Sequence, residues 1–98
     1  PWIHFRKSRP SIEVAAGTQL MRALLDHGIP VASSCRGDGV CAKCRIEIVS
    51  PSAHDPKVLS PESDLEKFLR ERHQIPSQVR ISCQTHVLGD ITVDATYW

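Results

Sequence analysis

The sequence predicts an α+β fold, a mixed sheet with a helix packed across one face. Three observations carry this expectation. Short alternating runs open and close the chain, two stretches repeat apolar residues at helical spacing, and one aperiodic stretch holds three of the four cysteines. A chain of 98 residues is the length of one domain, so residues 1–98 are expected to form a single unit.

Residues 2–6 alternate, with Ile3 and Phe5 on one side, and read as a strand. Arg9-Pro10 breaks the run. Residues 11–15 resume it with Ile12 and Val14 on one face, so the two runs are expected to pair as a hairpin. Gly17 ends the strand pattern. Thr18 is the candidate N-cap of a helix over 19–27, where Leu20, Ala23, Leu24 and His27 recur at helical spacing. Gly28 suits the left-handed conformation that stops a helix. Residues 29–44 show no period. Residues 45–50 alternate again, Ile46 and Ile48 against Arg45, Glu47 and Val49, and predict a strand. Residues 51–59 form a polar loop containing proline. Ser60-Pro61-Glu62 then reads as an N-cap, a proline at the first helical position and a first-turn acid. Leu65, Phe68 and Leu69 give the following helix its apolar face, as far as His73. Residues 79–84 and 91–94 read as two last strands, joined as a hairpin through a turn at Gly89-Asp90.

Composition excludes several functions. A formal net charge of +1, with no basic block of five, argues against nucleic acid as a partner. No apolar run approaches the length of a membrane span. No charged-then-apolar leader argues for secretion, and the expected compartment is the cytoplasm. The chain opens at Pro1 with no Met, compatible with a trimmed start or with a piece of a longer protein.

The cysteines follow C-x5-C-x2-C-x38-C: Cys35, Cys41 and Cys44 in the aperiodic stretch, and Cys83 inside the strand predicted over 79–84. Two irons bridged by two sulfides need four thiolates aimed at one small volume. A loop lets three side chains converge there and turns backbone N–H groups toward the sulfurs. Gly37 and Gly39 suit such close approach, and Ser33, Ser34 and Ala42 are also small. Zinc is the rival reading, either on the four cysteines or on Cys41 and Cys44 with Cys83 and His86. Two disulfides, or a redox thiol pair on Cys41 and Cys44, are further alternatives. A Rieske centre needs two His ligands, and no Cys-x-His accompanies the first cysteines. Iron–sulfur is preferred because three cysteines in one loop with a distant fourth are a more specific pattern than paired knuckles.

The run Cys35-Arg-Gly-Asp-Gly-Val-Cys41-Ala-Lys-Cys44, with Cys83 in Arg80-Ile-Ser-Cys83-Gln, resembles the 2Fe–2S ferredoxins of the β-grasp fold. Five residues between the first two cysteines, against four in plant-type members, resemble the vertebrate and bacterial branch that includes adrenodoxin-like proteins. The resemblance extends over nearly the whole chain. It implies a cluster-binding loop and one 2Fe–2S cluster on Cys35, Cys41, Cys44 and Cys83. It further implies that Cys35 and Cys41 hold the outer iron, and Cys44 and Cys83 the inner one. Two departures are specific to this chain. Arg45 stands where adrenodoxin-like members usually have His, and the second helix mixes Glu62, Asp64, Glu66 and Glu71 with Lys67, Arg70 and Arg72 where many relatives are acidic.

The implied function is one-electron transfer between a reductase and a terminal acceptor, without substrate chemistry of the chain's own. An electron-transfer module cut from a larger oxidoreductase is the alternative, followed by a zinc-binding interaction module. Partners are expected to be redox proteins, and the carrier a monomer. The expected docking surface is the loop at 36–40 with the helix at 61–72. Arg36, Lys43 and Arg45 either lie in solvent or temper the cluster's negative field. If they temper it, the potential should stand above the roughly −400 mV of plant-type ferredoxins. His4, His27, His54 and His73 have no catalytic setting, and only His86 is placed to approach the fourth cysteine. Trp2 and Trp98 are expected to pack. Arg36-Gly37-Asp38 is expected to be a chance adhesion-like tripeptide inside the loop.

Overall fold

In the computed structural model, which describes residues 1–7, 9–31, 44–95 and 98, the two opening alternations pair as expected. Strands β1 (Trp2–Phe5) and β2 (Ile12–Glu13) are antiparallel, with Ile3 opposite Ile12. Strand β4 (Arg45–Ser50) has the predicted bounds and buries Ile46 and Ile48. The last strand, β7 (Ile91–Asp94), also stands where the alternation put it.

The closing hairpin does not form. Strand β5 (Val79–Ile81) is separated from β7 by β4, in a five-stranded sheet of order β2-β1-β7-β4-β5. Strand β7 runs parallel to β1, with Ile3 opposite Ile91, and antiparallel to β4, with Ile48 opposite Val93. The sheet is therefore mixed. Ile91 and Val93 are buried, and a strand with this apolar face is best covered in the middle of the sheet. A two-stranded sheet of β3 (Thr18–Gln19) and β6 (His86–Val87) was not foreseen from the sequence. Two-residue strands carry no readable period.

Helix α1 (Leu20–Asp26) buries Leu20, Met21, Ala23 and Leu24. Its N-cap is Gln19, without a side-chain cap bond, while the Thr18 hydroxyl turns back and donates to Ala15 O at 2.7 Å. Gly28 adopts φ 73°, the left-handed stop that the sequence predicts. Helix α2 (Asp64–His73) starts three residues later than the Ser60-Pro61 signal indicates. Ser63 is the cap, accepting from Glu66 N at 3.1 Å, while Ser60 Oγ accepts from His86 N at 2.9 Å. The missed signal is Ser63-x-x-Glu66, the spacing of a capping box. The buried face of α2 also differs from expectation. Glu66 and Leu69 face inward, whereas Leu65 is 38% and Phe68 57% exposed.

Two apolar clusters result. The larger lies between the sheet and α1, around Ile3, Leu20, Leu24, Ile46, Ile91 and Val93. The smaller gathers Met21, Leu69, Ile75 and Ile81 around Cys44 and Cys83. Trp98 packs as expected, its ring 5.6 Å from that of Phe5 and its Nε1 donating to Pro30 O at 2.7 Å. Trp2, by contrast, is 43% exposed. Among the described residues, no helix is long and apolar enough to cross a membrane.

Candidate metal centre

Strand pairing brings two of the predicted ligands together. Cys44 immediately precedes β4, and Cys83 follows β5 in one turn of 3-10 helix, Ser82–Gln84. Because Arg45 lies opposite Ile81, the residues just beyond that pair are neighbours, and Ser82 N donates to Cys44 O at 2.9 Å. The two sulfurs stand 3.2 Å apart, with Cys44 0% and Cys83 4% exposed. Cys83 thus lies in a turn and not in the strand predicted for it. The turn is closed by Thr85, whose Oγ1 donates to Ile81 O at 2.8 Å. It is held against α1 by Gln19 Nε2 on Cys83 O at 2.7 Å and by Leu20 N on Thr85 O at 2.8 Å. A continued strand would offer alternating side chains; the turn instead holds Cys83 beside Cys44.

The distance discriminates between chemistries. It is far beyond the ~2.05 Å of a disulfide, so these two sulfurs are not bonded to each other. Two thiolates on one tetrahedral ion, at about 2.3 Å each, stand about 3.8 Å apart. The pair needs to open by about half an ångström to share an ion. The surroundings suit a buried thiolate pair: apolar walls from Met21, Leu69, Ile75 and Ile81 keep water out. Gln84 Nε2 lies 3.9 Å from Cys83 Sγ, a long, weak contact at the polar side.

A buried ion pair, unread in the sequence, anchors the strand that leads to Cys83. Arg80 and Glu66 are 1% and 0% exposed. Arg80 Nε and Nη2 donate to the Glu66 carboxylate at 2.6 and 2.8 Å. The same guanidinium donates to Ala53 O at 2.8 Å and Ser60 O at 2.9 Å, and Ile81 N donates to Glu66 at 3.2 Å. Helix α2, the 51–59 loop and β5 are joined through one side chain. One acid of the mixed helix, Glu66, is therefore internal, because Arg80 supplies the opposite charge beside it.

Cys35 and Cys41 lie outside the described residues, as do Ser33, Ser34, Arg36, Gly37, Gly39, Ala42 and Lys43. His86 is exposed on β6, and its amide and carbonyl bond Ser60. Among the described residues, no three His, Cys, Asp or Glu side chains gather around a common point, so His86 does not join Cys44 and Cys83. That removes support from the mixed Cys/His zinc set. Arg45 is exposed at the start of β4.

The chain is similar to known iron–sulfur proteins. The family model described as the 2Fe-2S iron-sulfur cluster binding domain matches residues 3–88. The chain is 36% identical over 81 residues to a subunit of the Na(+)-translocating NADH-quinone reductase of Chlamydia felis, covering 83% of this chain and 17% of that protein. It is 32% identical over 94 residues to the chloroplastic photosynthetic NDH subunit of subcomplex B 3 of Arabidopsis thaliana, covering 89% of this chain and 40% of that protein. In fold it is similar to the ISC-like 2Fe–2S ferredoxin of Pseudomonas putida, with a TM-score of 0.80, 24% identity and coverage of 100% and 94%. The chain therefore spans a minor part of these curated relatives but nearly all of a solved ferredoxin.

Proposed function

The chain belongs to the 2Fe–2S iron–sulfur cluster binding domain family, and on that premise we propose that Cys35, Cys41, Cys44 and Cys83 hold its cluster for one-electron transfer between a reductase and an acceptor. The observation that carries this reading is the buried pair of Cys44 and Cys83, 3.2 Å apart, in a family whose members bind one such cluster. The bound group supplies the ability to take and release one electron. The chain supplies the rest. Thiolates fix the irons, Met21, Leu69, Ile75 and Ile81 limit water beside Cys44 and Cys83, and the β4–β5 pairing brings those two cysteines together. The carrier has no substrate chemistry of its own and works as a cytoplasmic monomer. The test is a redox titration with paramagnetic resonance. The reduced protein should show one unpaired spin per chain and a single n = 1 transition. A colourless protein containing zinc would defeat the reading.

The relatives favour one second reading: the chain as the electron-transfer module of a larger oxidoreductase. Its aligned region makes up 17% of the Chlamydia felis protein. The size of the native polypeptide on an immunoblot separates the two.

Docking is proposed on the outer face of α2. Its inner face, through Leu69, shares the apolar cluster with Cys44 and Cys83, so a partner seated outside is close to the metal. That outer face presents Phe68 and Leu65 between charges of both signs. Interleaved charges largely cancel beyond a Debye length of about 8 Å, so apolar contact supplies the affinity. Phe68→Ser is expected to raise the KM for a redox partner about tenfold, the scale of one aromatic anchor. The kcat and the potential should not change. Raising the salt should change the KM of the wild type by less than about threefold. Steep salt dependence with an indifferent Phe68 would place the docking surface elsewhere.

A further inference from the structure

One buried polar atom is left over by the contacts described so far. Ser82 is 0% exposed, and its Oγ has no hydrogen-bond partner. Among the described residues it is the only buried side-chain nitrogen or oxygen in that position. Its backbone is fully used, the amide on Cys44 O at 2.9 Å and the carbonyl accepting from Thr85 N at 3.4 Å. A hydroxyl shut away from water without a partner is destabilising, and native structures rarely keep one. The residue is tied to Cys44 through its backbone amide and is next in sequence to Cys83. The apolar cluster that surrounds Cys44 and Cys83 contains no strong acceptor in Met21, Leu69, Ile75 or Ile81. Sulfur atoms of a cluster would.

We propose that the Ser82 hydroxyl donates to a sulfur of the cluster and thereby raises its reduction potential. This rests on the ligand assignment above. A donor at a sulfur stabilises the more negative reduced form more than the oxidised one. Unlike the charge of Arg45, exposed at the start of β4, it lies out of contact with solvent, where a hydrogen bond is electrostatically strong.

The experiment is voltammetry and resonance Raman spectroscopy on wild type, Ser82→Ala and Ser82→Thr, each first checked for a 2Fe–2S visible spectrum. In Ser82→Ala the one-electron reduction equilibrium should fall about fivefold, a drop of about 40 mV at 59 mV per decade. Ser82→Thr, which keeps the hydroxyl, should recover most of it. The shift of the Fe–S bands between H2O and D2O should be smaller in the alanine chain than in wild type. A loaded alanine variant whose potential is unchanged or higher overturns the proposal, and so does an unaltered isotope shift; either result would assign the hydroxyl to a buried water. If the alanine chain does not load, Ser82→Cys keeps the volume with a weaker donor and must lie below wild type. A wild type without a 2Fe–2S spectrum would instead defeat the ligand assignment.

Discussion

Replacing Cys83 with Ser should remove nearly all cluster from the purified protein. Cys44 and Cys83 meet in a buried site, 3.2 Å apart, so no water and no other described side chain stands ready to substitute. Loss even of an outer partner weakens a metal site about 10–100-fold. Loss of a ligand should exceed that, with iron and acid-labile sulfide falling at least about tenfold. Cys44→Ser should behave alike. Cys35→Ser and Cys41→Ser extend the test to the two cysteines whose role rests on spacing and family. A Cys35→Ser protein with a normal 2Fe–2S spectrum would sink the four-cysteine assignment.

Breaking the Arg80–Glu66 pair should cost more stability than any other single polar change. Glu66→Gln leaves a guanidinium in the interior without its counter-charge, and Arg80→Met leaves the carboxylate. Each is expected to destabilise by about 3–5 kcal/mol. In a domain of this size the Tm would fall by at least about 10 °C. The double variant should cost much less than the sum of the two, because no buried charge is left alone. Thermal melts of the three proteins provide the cycle, and strict additivity would show that the two charges do not support each other. The effect should reach the metal. Arg80 and Ile81 are joined to α2 through Glu66, and Cys83 follows directly, so cluster loss on warming should accelerate in both single variants.

The sequence alone determined the pieces whose information is local or covalently spaced. Alternation located β1, β4 and β7, because a strand with one buried face must place apolar residues at every second position. Gly28 marked the end of α1, because left-handed backbone is cheapest for glycine. Spacing singled out the four cysteines as candidates, and of these the fold brings Cys44 and Cys83 together. Tertiary structure decided the rest. That β7 lies between β1 and β4 depends on which apolar face the whole sheet can cover, and no local pattern states this. The turn at Ser82–Gln84 replaced the end of a predicted strand because α1 holds it through Gln19 and Leu20. Glu66 went inward and Phe68 outward because Arg80, far along the chain, supplied a buried counter-charge. A buried acid is tolerated only beside its partner, and that partner is brought near only by the fold.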